Sequence, residues 1–223
     1  MSNEMARRET AASVAAVAAL PRRKSTVREY AEALGVALLL ALAIRTFVVQ
    51  AFKIPSGSML PTLQIGDHIL VNKFVYGPRL EIPLTQLSLG QLPGLRKPRP
   101  GDVVVFVYPN DRSKDFIKRV VAVEGQTIEV RNRRVYVDGQ PADDPHAHWS
   151  RRHEGGPGDN MPAFTVPPEH IFVMGDNRDQ SYDSRFWGPV PMRDVKGLAT
   201  IIYWSWNGPD RWVRWERLGR LVE

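Results

Sequence analysis

The first strong apolar signal is an unbroken run, Ala33–Ile44 (ALGVALLLALAI). Arg45 and Thr46 interrupt it, and FVVQAF then carries apolarity on to Phe52. A helix of about 20 apolar residues spans a bilayer. The window 31–52 meets that length when Glu32 and Arg45 lie near its ends and snorkel, so one transmembrane helix is expected there. Residues 1–30 read as a disordered basic tail. Arg7, Arg8, Arg22, Arg23, Lys24 and Arg28 precede the run, against only Arg45 and Lys53 at its far end before Lys73. This asymmetry puts the N-terminus in the cytoplasm and everything after Phe52 outside. A cleaved signal peptide, with ALA at Ala41–Ala43 as its cleavage signal, and a buried helix of a soluble domain are the competing readings. Apolarity continuing past Ala43 favours the anchor.

Beyond Phe52 the period changes to that of strands and turns. HILVNKFVY (His68–Tyr76) reads as a strand entered through Gly66-Asp67, and DVVVFVYP (Asp102–Pro109) does not alternate and so predicts a strand buried on both faces. DFIKRVVAV (Asp115–Val123) is another, followed by a turn at Gly125 into TIEV. RRVYVDGQP alternates and ends in Asp138-Gly139, a hairpin signal. Residues 80–100, rich in Pro, Leu and Gly, read as a surface excursion or a membrane-contacting loop. Between Pro141 and Pro168 the composition shifts to Pro, Gly, His and Asp, marking an insertion. HIFVMGDN and GLATIIYWSW are late strands, and RWVRWERLGRLV closes the chain as an amphipathic, tryptophan-rich segment. The expected class is mainly antiparallel β with one N-terminal helix.

Composition narrows the chemistry. With 223 residues and 43% hydrophobic content the chain can bury a sizeable core, and 18 prolines with 17 glycines suit a turn-rich β fold. The net charge of +6 is compatible with nucleic acid, an anionic membrane surface, or neither. There is no cysteine, which excludes disulfides, thiolate metal sites and a cysteine nucleophile and leaves the compartment open.

Three stretches carry candidate chemistry. FKIPSGSMLPT places Ser56 and Ser58 between Pro55 and Pro61, either as a plain turn or as a site exposing a nucleophile. No histidine offers itself as the base. His146, His148 and His153 cluster in the polar insertion, His68 sits among apolar residues, and His170 precedes a strand. Lysine serves instead if burial keeps it neutral. Half-neutrality at pH 8 needs a shift of about 2.4 units from about 10.4, and full burial supplies 3–5 units. Lys118, flanked by Phe116, Ile117, Val120 and Val121, fits. Arg119 points to the other face of the strand. A salt bridge from Lys118 to Asp115 is the plainer alternative. MGDNRDQSYDSRFWG (Met174–Gly188) alternates charges at Asp176, Arg178, Asp179, Asp183 and Arg185. It is either a solvated turn or a buried ionic scaffold that holds Ser181 near the base. It lacks the glutamate of an EF-hand loop, and no metal or other cofactor is expected.

Together, IPSGSMLPTLQIGDHILVNKFVYG, RPGDVVVFVYP, DFIKRVVAVEGQTI, VMGDNRDQSYDSRFWGPVP and IYWSW resemble type I signal peptidases, the Ser-Lys leader peptidases of bacterial membranes. The resemblance covers the chain from the anchor to the end, apart from the insertion. It implies Ser58 as nucleophile, Lys118 as general base, Ser56 as a hydroxyl assisting the oxyanion, and Ser181 as the residue orienting the lysine. It implies Asp183 and Arg185 as a structural ion pair, with Asp176 in the same scaffold. Ile54, Pro55, Met59, Leu63 and Ile117 fall where shallow apolar pockets take small residues before the scissile bond, and Phe52, Ile69 and Val105 join the second of these. The implied fold is two antiparallel-sheet parts: a catalytic domain, 53–125 with 171–223, and a small inserted β subdomain, 126–170, that is short and cysteine-free.

The expected activity is removal of signal peptides from exported preproteins after a small-x-small motif, by a monomeric enzyme of the inner membrane whose catalytic domain faces the periplasm. Its partners are preproteins and the bilayer, with no nucleic acid. A related conjugation- or pilus-type Ser-Lys processing peptidase, and a catalytically silent membrane-tethered β domain, are the alternatives.

Overall fold

The computed structural model describes residues 25–81, 88–152, 155–210 and 212–223; most of the expected basic tail, residues 1–24, and part of the 80–100 excursion lie outside them. The chain divides into two units, residues 1–42 and 43–223.

Helix α1 runs Thr26–Phe47, with Glu29 in its first turn and Arg45 in its last, signs that suit the helix dipole at each end. Leu34, Leu38, Leu39, Leu40 and Leu42 are all exposed. Among the described residues no helix is long and apolar enough to cross a membrane. The expected helix over 31–52 is corrected at both ends: it begins at Thr26, within the expected tail, and stops at Phe47. Val49–Lys53 is strand β1, whose register pairs Phe52 with Ile69 of the next strand. The β-branched Val49 and the inward Phe52 gain more from a sheet than from another helical turn.

The strands that follow are β2 (Asp67–Asn72), β3 (Arg79–Glu81), β4 (Ser88–Gln91), β5 (Val103–Val107), β6 (Asp115–Val123), β7 (Thr127–Arg131), β8 (Arg134–Val137), β9 (Gln140–Pro141), β10 (Met161–Thr165) and β11 (His170–Met174). A short helix α2 (Ser184–Trp187) precedes β12 (Val190–Pro191), β13 (Val195–Asn207) and β14 (Trp212–Val213). The main sheet is antiparallel in the order β1-β2-β13-β5-β6-β11-β12, with β14 on β13. A smaller sheet, β10-β7-β8-β9, lies wholly within residues 126–170, and β3 pairs with β4.

β5 explains its own sequence pattern. It is buried along its whole length, with Val103 and Val105 in one core beside Ile69 and Ile202, and Val104 and Phe106 in another beside Val120 and Val173. Each such side chain contributes about 1.5–3 kcal/mol by leaving water. A third core joins the two sheets: Val121, Ala122 and Phe172 pack against Ile128, Val130 and Val135. The β8–β9 turn has positive φ at Asp138 (51°) and Gly139 (76°), the geometry that a two-residue primed hairpin requires.

Candidate active site

The loop between β1 and β2 carries the two serines. It is closed at its base by the Ile54 amide donating to Asp67 O at 2.8 Å and the Gly66 amide donating to Ile54 O at 3.0 Å. Inside it, Leu63 N donates to Met59 O at 2.8 Å, and Ile54, Met59 and Leu63 are sunk in the core. Apolar anchors on both sides therefore fix the stretch containing Ser58. Its hydroxyl meets the Nζ of Lys118 at 2.7 Å. Ser56, two residues earlier, is exposed.

Lys118 lies in mid-strand on β6, opposite Val104, and is 4% exposed. Nζ also donates to Ile117 O at 3.0 Å and sits 5.6 Å from the centre of the Phe116 ring. Burial pushes its pKa down to about 8; Asp183 and Asp176 pull it up and Arg185 lowers it, all less strongly than burial. Asp115, the alternative partner for this lysine, pairs with Lys196 instead, at 2.8 Å.

The stretch after β11 supplies the rest. Asn177 donates its amide to Ser58 O at 3.1 Å and Nδ2 to Gly57 O at 3.0 Å. Ser181 is 5% exposed, and its hydroxyl has no hydrogen-bond partner among the described residues. Gly175 lies between: a Cβ there would stand 2.5 Å from Ser58 O and closer still to the Ser181 hydroxyl. Ser58 and Lys118 thus meet directly, and Ser181 lies near the Ser58 carbonyl beside Gly175, the three coming from distant parts of the chain.

Asp176, Asp183 and Arg185 do not form one ion pair. Asp183 binds Arg185 through Nε and Nη2, each at 2.9 Å, and accepts the Gly175 amide at 3.0 Å. Asp176 binds Arg119 instead, at 2.8 and 2.7 Å, and accepts the Thr62 hydroxyl at 2.6 Å. Alternation along β6 sends Lys118 and Arg119 to opposite faces, so the second cation needs its own acid. Of the apolar positions, Ile54, Met59, Leu63, Ile69 and Val105 are core, Phe52 and Ile117 are half-buried, and Pro55 is exposed. The first five form a floor, and the last three have surface that a ligand can touch.

A hydroxyl hydrogen-bonded to a buried amine of lowered pKa is an activated nucleophile with its base. The same chain matches, over residues 27–204, the family described as signal peptidase, peptidase S26. The chain belongs to the signal peptidase family. It is 36% identical over 215 residues to signal peptidase I of Pseudomonas aeruginosa, covering 81% of this chain and 74% of that one. It is 35% identical over 198 residues to signal peptidase I of Leptolyngbya laminosa, with 85% and 86% covered. With the probable signal peptidase I-1 of a Synechocystis strain the identity is 37% over 210 residues, with 91% and 92% covered.

Three residues of this signal peptidase site escape a reading of the sequence alone. Thr62 and Asn177 link the serine loop to the stretch after β11. Arg217 caps the same loop, donating to Asp67 at 2.6 Å and to Thr62 O at 2.9 Å. The signal for the last is weak: a buried Asp67 at a strand start needs a cation, and nothing in the local sequence says that it comes 150 residues later.

Proposed function

We infer that this chain is a serine endopeptidase that removes N-terminal signal peptides from exported preproteins. The observation that carries the reading is the 2.7 Å contact between Ser58 Oγ and the buried Lys118 Nζ, in a chain of the signal peptidase family. Neutral Lys118 takes the proton of Ser58 Oγ as that oxygen bonds to the scissile carbonyl carbon. The negative charge moves to the carbonyl oxygen, where the Ser58 amide and the Ser56 hydroxyl act as donors. The tetrahedral intermediate collapses, the C–N bond breaks, and Lys118 returns its proton to the leaving amine. Water, deprotonated by Lys118, then hydrolyses the Ser58 ester and frees the enzyme. Ser181, with its spare hydroxyl, orients the amine between these steps. Small residues before the scissile bond rest on the surface of Phe52, Pro55 and Ile117 above the apolar floor.

The enzyme works at the bacterial inner membrane as a monomer, its N-terminus cytoplasmic and residues 53–223 on the outer side. Support comes from the exposed apolar side chains of α1, the basic residues before it, and exposed Trp206, Trp212 and Trp215, a residue type enriched at membrane interfaces. The catalytic part comprises 53–125 and 171–223, with 126–170 as the inserted subdomain. Incubation with a secretory precursor, followed by mass spectrometry of the products, tests the activity. One cut after a small-x-small motif is expected, and an uncut precursor would overturn the reading. Alkaline extraction and protease protection of membranes test the placement; a washed-off chain or a protected C-terminal part refutes it.

A further inference from the structure

The stretch Gly175–Arg185 is held from a side that neither the Ser58–Lys118 contact nor the Asp183–Arg185 pair uses. Residues 144–152 leave the small sheet after β9 and run beside it. The His148 amide donates to Asp176 O at 2.7 Å, and the Arg178 amide donates to His148 O at 2.9 Å, forming a parallel bridge between His148 and Asn177. Ion pairs fasten both ends. Arg178 Nη2 reaches Asp144 at 2.7 Å. Asp179 accepts the Arg151 amide at 2.6 Å and Nε at 2.9 Å, and Arg151 Nη2 goes on to Asp159 at 2.9 Å. Asp159 is itself held by Arg133 and by the amides of Gly155 and Gly156.

Two facts give this arrangement more than a structural meaning. Its two main-chain bonds flank Asn177 on both sides, and Asn177 is the residue that grips the carbonyls of Gly57 and Ser58. The charged groups that act on Lys118, namely Asp183, Asp176 and Arg185, all belong to the strapped stretch. From its own strand, Arg119 is turned to Asp176.

We propose that residues 144–151 are a positioning strap for the Ser58–Lys118 pair, with Arg151 as its fastening: by fixing Asn177 the strap fixes how Ser58 faces the amine. The inference rests on the serine-lysine reading of the site. The full chain, in detergent with a secretory precursor, is compared with Arg151→Ala, Asp179→Asn and Arg151→Lys. In the first two, kcat falls about tenfold to a hundredfold, the size expected for a misplacement of about an ångström, while KM stays put. As the loosened stretch lets water reach Lys118, whose burial is the main cause of its lowered pKa, the activity midpoint in pH rises toward the ordinary lysine value, and Arg151→Lys recovers part of the loss. Amide exchange at Asn177 and Arg178 speeds up, a readout independent of turnover. Unchanged kcat and pH midpoint in variants that only melt earlier would overturn the strap, as would a rise in KM alone or unaltered exchange. An inactive parent enzyme with faster exchange in Arg151→Ala would instead refute the peptidase reading and leave the strap supported.

Discussion

Lys118 and Arg119 are neighbours on one strand, and they lead to opposite ends of the same scaffold: Lys118 to Ser58 at 2.7 Å, Arg119 to Asp176 at 2.7 Å. One cation is stripped of water until it gives up its proton readily. The other is paired with a buried carboxylate. The pleat of β6 makes this separation possible, and several outcomes depend on it.

Ser58→Ala removes the only hydroxyl in contact with Nζ that the structure describes. Cleavage of a precursor should fall by about 10⁶-fold, the scale seen when a nucleophile is deleted, with the circular dichroism spectrum unchanged. Ser56→Ala, which leaves that contact intact, should cost no more than one oxyanion donor, about 10²–10³ in kcat. Turnover retained by Ser58→Ala would remove that residue from the chemistry.

Activity should climb through pH 8, where burial holds the Lys118 pKa, and level off above it, because only the neutral amine accepts the serine proton. Stability should follow the opposite economy of protons. Below pH 8 the amine is charged in both folded and unfolded chains, and the folded state carries the full cost of burying it, about 3 kcal/mol. Between pH 8 and the ordinary value of 10.5 the unfolded chain binds more protons, so stability rises with pH across that window. Lys118→Met should therefore abolish cleavage and raise the unfolding midpoint at pH 7. A lowered midpoint would mean that the amine is not desolvated as the structure has it.

Breaking the Arg119–Asp176 pair from one side strands a charge, since both side chains are almost wholly buried. Asp176→Ala should lose about 3–5 kcal/mol in urea unfolding. The double variant Arg119→Met, Asp176→Leu should lose less than that single one, because no unpaired charge remains. Equal or additive losses would rule out a buried pair here.

Gly175→Ala should leave the sheet folded and the enzyme nearly inert. The added methyl would collide with Ser58 O and the Ser181 hydroxyl, and displacement at a reacting pair costs about 10²-fold in rate. Full activity in this variant would place Ser181 away from the working site.

The sequence made parts of this legible for reasons that can be named. An unalternating DVVVFV announced a strand with a core on each side, and Asp138-Gly139 announced its hairpin. Lys118 stood out because a lysine amid Phe, Ile and Val has no cheap place to put its charge. The helix end was misjudged, because apolarity alone does not tell residues 48–52 of a helix from those of a strand; the pairing of Phe52 with Ile69 does. Asn177, Thr62 and Arg217 stayed hidden, because each acts through a partner more than a hundred residues away and none has a local pattern. The strap at 144–151 was hidden for a related reason: its contacts to the Asp176–Arg178 stretch are partly main chain, which any residue type can make.

The capping of the serine loop by Arg217 has a consequence in time. Synthesis delivers Ser58 early and Lys118 midway, while the groups that set their spacing, Asp176, Asn177 and Arg217, come last. A half-made chain on the ribosome holds the nucleophile and the base but not the frame that aligns them. The serine loop is thus framed only once residues 176–217 have followed it out, and the alignment of Ser58 with Lys118 waits on residues made long after both.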